Sequence, residues 1–86
     1  MEVRLLVAWN LRLLRVAKGV SQDDLALSAG IERAYVGHLE RGSKNPTIET
    51  LEKLAVALDS HISDFFVEPA DPAERPLPLR GGRRKQ

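Results

Sequence analysis

Glycines at positions 19, 30 and 42 divide much of this 86-residue chain into short segments. Each glycine follows a stretch whose apolar residues recur every three or four positions, which is the pattern of a helix with one buried face. Glycine adopts the left-handed conformation that ends a helix at little energetic cost, so each of these positions is a natural stop. The sequence contains no strand candidate. It is therefore expected to fold as a small all-α domain.

Five helices are predicted, because two further helical patterns follow the third glycine. The first covers about residues 3–18, the second begins after its cap Ser21, and the third covers about residues 31–41. The fourth begins after its cap Thr47, and a short fifth helix begins near Ser63. The buried face of the fourth helix is expected to consist of Ile48, Leu51, Leu54, Ala55 and Leu58.

The composition changes sharply after position 67. Four prolines fall within ten residues, and Gly81, Gly82 and a basic cluster follow them. Such a stretch cannot bury enough apolar surface to offset the entropy of ordering it. We therefore expect one folded domain over residues 1–67 and a disordered tail over residues 68–86.

Composition argues against several functional classes. The chain has no cysteine, and its two histidines, His38 and His61, lie on different helices without a metal-ligand spacing. We therefore expect no metal, no cofactor and no enzymatic activity. The apolar run near the start is too short for a membrane span or a signal peptide, so we expect a cytoplasmic protein without a membrane partner.

Net charge alone does not indicate a nucleic-acid partner. Residues 1–68 carry 8 Lys or Arg against 10 Asp or Glu, whereas residues 69–86 carry 5 against 2. The folded part is therefore slightly acidic, and a case for DNA binding has to depend on where its basic residues cluster.

The second and third predicted helices form a pair joined by a glycine turn, and many residues at fixed spacings accompany them. In chain order these are Leu11, Arg12, Leu14, Arg15, Lys18, Gly19, Val20, Ser21, Gln22, Leu25, Ala26, Ala29, Gly30, Ile31, Tyr35, Val36, Leu39, Glu40, Arg41, Gly42, Asn45, Pro46, Thr47, Thr50, Leu51, Leu54, Ala55, Ala57 and Leu58. Over roughly residues 5–67 the sequence resembles the Cro/C1-type (XRE-like) helix-turn-helix family, which includes phage repressors and restriction–modification controller proteins.

The resemblance implies a lambda-repressor-like fold and sequence-specific binding to double-stranded DNA. It further implies a transcriptional regulator that acts as a homodimer on an inverted-repeat operator. In this motif the third helix enters the major groove, which is about 12 Å wide. The same fold also serves as an antitoxin or another protein-interaction module, and this alternative remains open.

The outer face of the third helix is the candidate base-reading surface, because Val36 and Leu39 define the buried direction. The candidate base-contacting residues are Arg33, Ala34, Gly37 and His38. Arg33 can pair with guanine through two hydrogen bonds, and Ala34 can contact a thymine methyl. Gly37 removes side-chain bulk and would let the helix sit deeper. Alternatively, Arg33 and His38 only solvate a surface helix.

Phosphate contacts are expected from helix ends and from the loop after the third helix. The candidates are Gln22, Tyr35, Arg41, Lys44 and Asn45, with Arg80, Arg83, Arg84 and Lys85 as a further basic group in the tail. The alternative is that these are ordinary solvated or turn-forming residues. Glu32 departs from the Ser or Thr cap that the family often places before the third helix.

Two other sets of residues are assigned structural or partner roles. The resemblance implies an ion pair between Arg15 and Glu40, which would orient the third helix. A second apolar stripe on the first helix, almost opposite its core side, suggests a homodimer or a protein partner. That stripe consists of Leu6, Trp9, Leu13 and Val16, and an alternative dimer seam consists of Ile62, Phe65, Phe66 and Val67.

Overall fold

The computed structural model describes residues 2–69 and contains four α-helices and a 3-10 turn. Helix α1 is Val3–Ala17, α2 is Gln22–Ala29, α3 is Arg33–Glu40 and α4 is Ile48–Ala57. The 3-10 turn is Ile62–Phe66, and no strand occurs within the described range. The all-helical class is confirmed. The predicted disorder of the tail lies outside the described residues from position 70 onward.

The predicted count of five helices is not confirmed, since the last element is the 3-10 turn. At its start, the His61 backbone N–H donates to Asp64 Oδ2 at 3.0 Å. At its end, the amide nitrogen of Asn10 donates to the carbonyl oxygens of Phe65 and Val67 at 3.0 and 2.9 Å. These carbonyls are bound by α1, and the short turn ends at that contact.

The helix boundaries depend on side-chain caps and on left-handed glycines. Ser21 Oγ accepts the Asp24 backbone N–H at 2.9 Å, and Thr47 Oγ1 accepts that of Thr50 at 3.0 Å. Gly30 has a φ of 73°, which lets the next backbone N–H, from Ile31, donate to Ala26 O at 3.0 Å. The chain therefore leaves α2 and enters α3 after a very short turn.

The hydrophobic core is formed between all five elements. Its fully buried large side chains are Phe65, Leu11, Leu25, Leu39, Leu54, Leu58 and Val36. Ile48 was expected in this core but is 76% exposed. It is the first residue of α4, and the face of that helix that packs inward begins at Leu51.

The proposed dimer surfaces need correction, because the 3-10 turn packs against α1. Leu6 and Phe65 are 5% and 0% exposed, so neither can supply an open partner face. Trp9 and Ile62 are half-buried, and Ile62 packs against the core. The residues of these two sets that stay exposed are Leu13, Val16, Phe66 and Val67.

Within residues 2–69, no helix is both long and apolar enough to cross a membrane. The same range holds no group of three or more His, Cys, Asp or Glu residues that could bind a metal ion.

Candidate nucleic-acid interface

A buried carboxylate fixes α3 relative to α1 and α2. The Glu40 side chain is fully buried and accepts hydrogen bonds from Arg15 Nε at Oε2 and from Arg15 Nη2 at Oε1, the latter at 3.0 Å. Gln22 Nε2 donates to the same Oε1 at 2.9 Å. Arg15 also donates from Nη1 to the carbonyl oxygen of Val20 at 2.9 Å. The structure thus contains the pair that the resemblance implied, with Gln22 as a further donor.

The position of Gln22 bears on its expected phosphate contact. Its side chain is half-buried, and one N–H of the amide is directed at Glu40. An amide nitrogen carries two hydrogens, so a second donor remains. Gln22 therefore joins the network that orients α3 while lying at the start of α2.

The outer face of α3 carries residues that do not take part in the core. Ala34 and Arg41 are exposed, and His38 is half-buried. Val36, Leu39 and Glu40 are buried on the opposite side of the same helix. A helix held from behind in this way presents a regular surface to a groove.

Arg33 is held by a carboxylate that the sequence analysis did not select. Its Nε donates to Asp23 Oδ1 at 3.1 Å, across the turn between α2 and α3. Both side chains are more than half exposed. The Ser21 cap uses the backbone N–H of Asp24 and leaves the Asp23 carboxylate available to Arg33.

Gly37 does not form the open gap that was expected of it. It is buried, and a Cβ atom at this position would lie 3.3 Å from Arg33 Nη1 and 3.4 Å from Arg41 Nη1. Arg33 lies one turn before Gly37 and Arg41 about one turn after it, and their guanidinium groups occupy the space that a side chain at position 37 would need. The absent side chain makes room for arginines of the protein itself.

His38 is oriented by residues at the end of α3. Its Nδ1 is 2.9 Å from Arg41 Nη2, and its carbonyl oxygen accepts from Ser43 Oγ at 3.1 Å. Arginine has no acceptor, so it must be the donor to Nδ1. The proton of a neutral ring then lies on Nε2, which makes that atom a donor. Ser43 is a second residue that the sequence analysis did not select.

The remaining candidates are divided between surface and core. Lys44 and Asn45 are exposed in the loop between α3 and α4. Tyr35 is half-buried and packs against the core, so its ring supports the helix. Arg80, Arg83, Arg84 and Lys85 lie outside the described residues. The structure therefore brings together Asp23, Arg33, His38 and Arg41 on one surface, with Gly37 buried beneath the two arginines.

Comparison with protein families gives one match that covers most of the described chain. A family model described as Helix-turn-helix (HTH_3) matches residues 11–65. This range runs from the middle of α1 to the 3-10 turn and includes α2 and α3 complete.

Individual relatives agree with that match. The chain is 44% identical over 70 residues to a hypothetical transcription factor of Neisseria meningitidis, covering 81% of this chain and 66% of that one. It is 42% identical over 72 residues to an uncharacterised HTH-type transcriptional regulator of Sinorhizobium fredii, covering 83% and 91%. These relatives carry names of transcriptional regulators and not of enzymes.

A solved structure extends the likeness to three dimensions. The restriction–modification controller protein C.AhdI from Aeromonas hydrophila superposes with a TM-score of 0.72 at 43% sequence identity. The aligned region covers 73% of this chain and 96% of that protein.

Proposed function

The chain belongs to the helix-turn-helix family, and on this premise we propose that it binds specific sites in double-stranded DNA and regulates transcription. The observation that carries the proposal is the outer face of α3, where Arg33, His38 and Arg41 lie on a helix whose other side is fixed to α1 and α2. Three donor side chains on one rigid helix suit the acceptor-rich edges of bases and phosphates.

We assign the contacts by position on the helix. Arg33 at the start of α3, together with Ala34 and His38, faces base edges. Arg41, Lys44 and Asn45 reach the phosphate backbone. Asp23 and Asp24 at the start of α2 oppose phosphate there, so specific contacts have to outweigh a local repulsion.

The assembly proposed is a homodimer on an inverted repeat, since this motif pairs two recognition helices with two half-sites. Of the residues predicted for a dimer contact, Leu13, Val16, Phe66 and Val67 are exposed and can form the contact between two copies.

A second candidate function is a protein-interaction module such as an antitoxin. It is supported by Leu13 and Val16, which are 54% and 55% exposed on α1. A regulator that also binds a protein through this face would combine both functions.

Binding to promoter and random DNA at two salt concentrations tests the proposal. We expect the full chain to prefer one site and to lose affinity as salt rises, because bound phosphates release counterions. An absence of binding at low salt would contradict DNA binding and favour the interaction module.

A further inference from the structure

The row Arg33, Gly37 and Arg41 follows one side of α3 at intervals of one helical turn. Gly37 lies between the two arginines and is buried beneath their guanidinium groups. Both Nη1 atoms lie within 3.4 Å of the place where a Cβ atom would stand. Any side chain at position 37 would therefore have to move at least one of the arginines.

Each guanidinium is also held from outside the row. Asp23 accepts from Arg33 Nε at 3.1 Å, and His38 Nδ1 accepts from Arg41 Nη2 at 2.9 Å. Asp23 contacts Nε of Arg33, so the edge of the guanidinium formed by its two terminal amino groups takes no part in this ion pair. That terminal edge can match the O6 and N7 acceptors of a guanine.

The charge in this row is incompletely neutralised. Among the ion pairs of residues 2–69, the carboxylate that pairs with an arginine of this row is Asp23, and its partner is Arg33. The side chain that contacts Arg41 is the imidazole of His38. Two like charges over one glycine repel each other. Electronegative atoms of a ligand would relieve this repulsion. The pair therefore favours a ligand that offers a purine edge to one arginine and an adjacent phosphate to the other.

We propose that Asp23 and Gly37 are specificity-determining residues that position Arg33 and Arg41 without touching DNA. Each half-site then contains a guanine opposite Arg33, with Arg41 on a neighbouring phosphate. This inference rests on the proposed function and adds to it the base that is read and the residues that set the geometry of reading.

The first test compares Asp23→Ala with Asp24→Ala in the full chain. Both variants remove one carboxylate from the first turn of α2, but the Asp23 side chain alone contacts Arg33. Preferred sequences are selected from a random DNA pool with the wild type, and affinities are then measured for sites in which each guanine is replaced. We expect Asp23→Ala to lower the preference for one guanine by about two- to fivefold, the equivalent of an exposed ion pair. Asp24→Ala should change the affinity for all sites alike and leave the preference unaltered.

The second test is Gly37→Ala, for which stability and specificity should change in opposite directions. Alanine favours the helix, and the exposed arginine ends can move aside, so the Tm should rise by up to about 8 °C. The preference for the same guanine should fall by about fivefold or more, because Arg33 no longer lies over residue 37. A loss of preference in a more stable protein cannot be attributed to unfolding.

The outcomes separate this inference from the proposed function. A wild type that selects no sequence would overturn both. A wild type with a preferred site, whose base preferences are the same in Asp23→Ala or in Gly37→Ala, would overturn the inference and leave DNA binding intact. A preferred half-site without guanine would also overturn it.

Discussion

At the scale of single residues, Glu40 carries a fully buried carboxylate, and the side chains that donate to it come from α1 and α2. Burying a charge costs several kcal/mol in lost hydration, so the carboxylate depends on these donors. Two N–H groups of Arg15 and one of Gln22 donate to Glu40, and Arg15 also donates to the carbonyl oxygen of Val20. Together these contacts fix the orientation of α3 relative to α1 and α2. The recognition surface is therefore set by a charge that does not itself face DNA.

Replacing one partner of this pair should destabilise the fold more than replacing both. Arg15→Met leaves the Glu40 carboxylate buried with Gln22 as its remaining donor, and we expect a loss of about 3–5 kcal/mol in the free energy of unfolding. The double variant Arg15→Met/Glu40→Leu should lose less, because no charge is left buried. Urea denaturation of both proteins measures the difference. A double variant that is less stable than the single one would contradict this account.

Sequence reasoning identified Arg15 and Glu40 through the family resemblance but did not find Asp23 or Ser43. Asp23 lies ten positions before Arg33, and a carboxylate in the first turn of a helix is ordinary because it interacts favourably with the positive end of the helix dipole. Only the packing of α2 against α3 brings the two side chains within 3.1 Å. Gly37 was singled out for the right reason, its missing side chain, but what fills the space depends on arginine conformations that a sequence does not specify.

At the scale of elements, the last described segment is joined to α1 through Asn10. This residue is 4% exposed and donates to Leu6 O as well as to the carbonyl oxygens of Phe65 and Val67. The amide thereby connects the middle of α1 with the 3-10 turn that places Phe65 in the core. The contact is polar in a buried position, where an unpaired carbonyl is expensive.

Asn10→Ala should lower the free energy of unfolding by about 1–3 kcal/mol, because buried carbonyl oxygens lose their donor. Asn45→Ala makes the same chemical change at an exposed position and should stay within about 0.5 kcal/mol of the wild type. Thermal and urea denaturation compare the two. Equal stability of both variants would mean that Asn10 does not hold the turn in place.

The helical pattern predicted four α-helices correctly and failed where the faces of α1 had to be assigned. A helical wheel places Leu6 about 100° from Val7 and about 140° from Leu11, which predicts that it belongs to an open stripe. The 3-10 turn covers that side of α1, and Leu6 and Phe65 become buried together. The length and position of that turn depend on the contacts of Asn10 with positions 65 and 67, which local sequence patterns cannot reveal.

At the scale of the whole molecule, the folded region is slightly acidic, so DNA binding has to depend on where a few basic side chains lie. Arg33, Arg41 and Lys44 belong to α3 and the loop that follows it, whereas Glu49 and Glu52 lie on α4. Binding should therefore depend more on the geometry of α3 than on net charge. The paired half-sites of a dimer would double the few contacts that each copy makes.

The most direct test of the central claim, that the outer face of α3 reads bases, is selection from a random DNA pool with the wild type, Arg33→Ala and Lys44→Ala. The account predicts an inverted repeat for the wild type and a relaxed preference at one position of each half-site for Arg33→Ala. It predicts weaker binding with an unchanged preference for Lys44→Ala. A pool without an enriched sequence, or two variants that change binding in the same way, would contradict it.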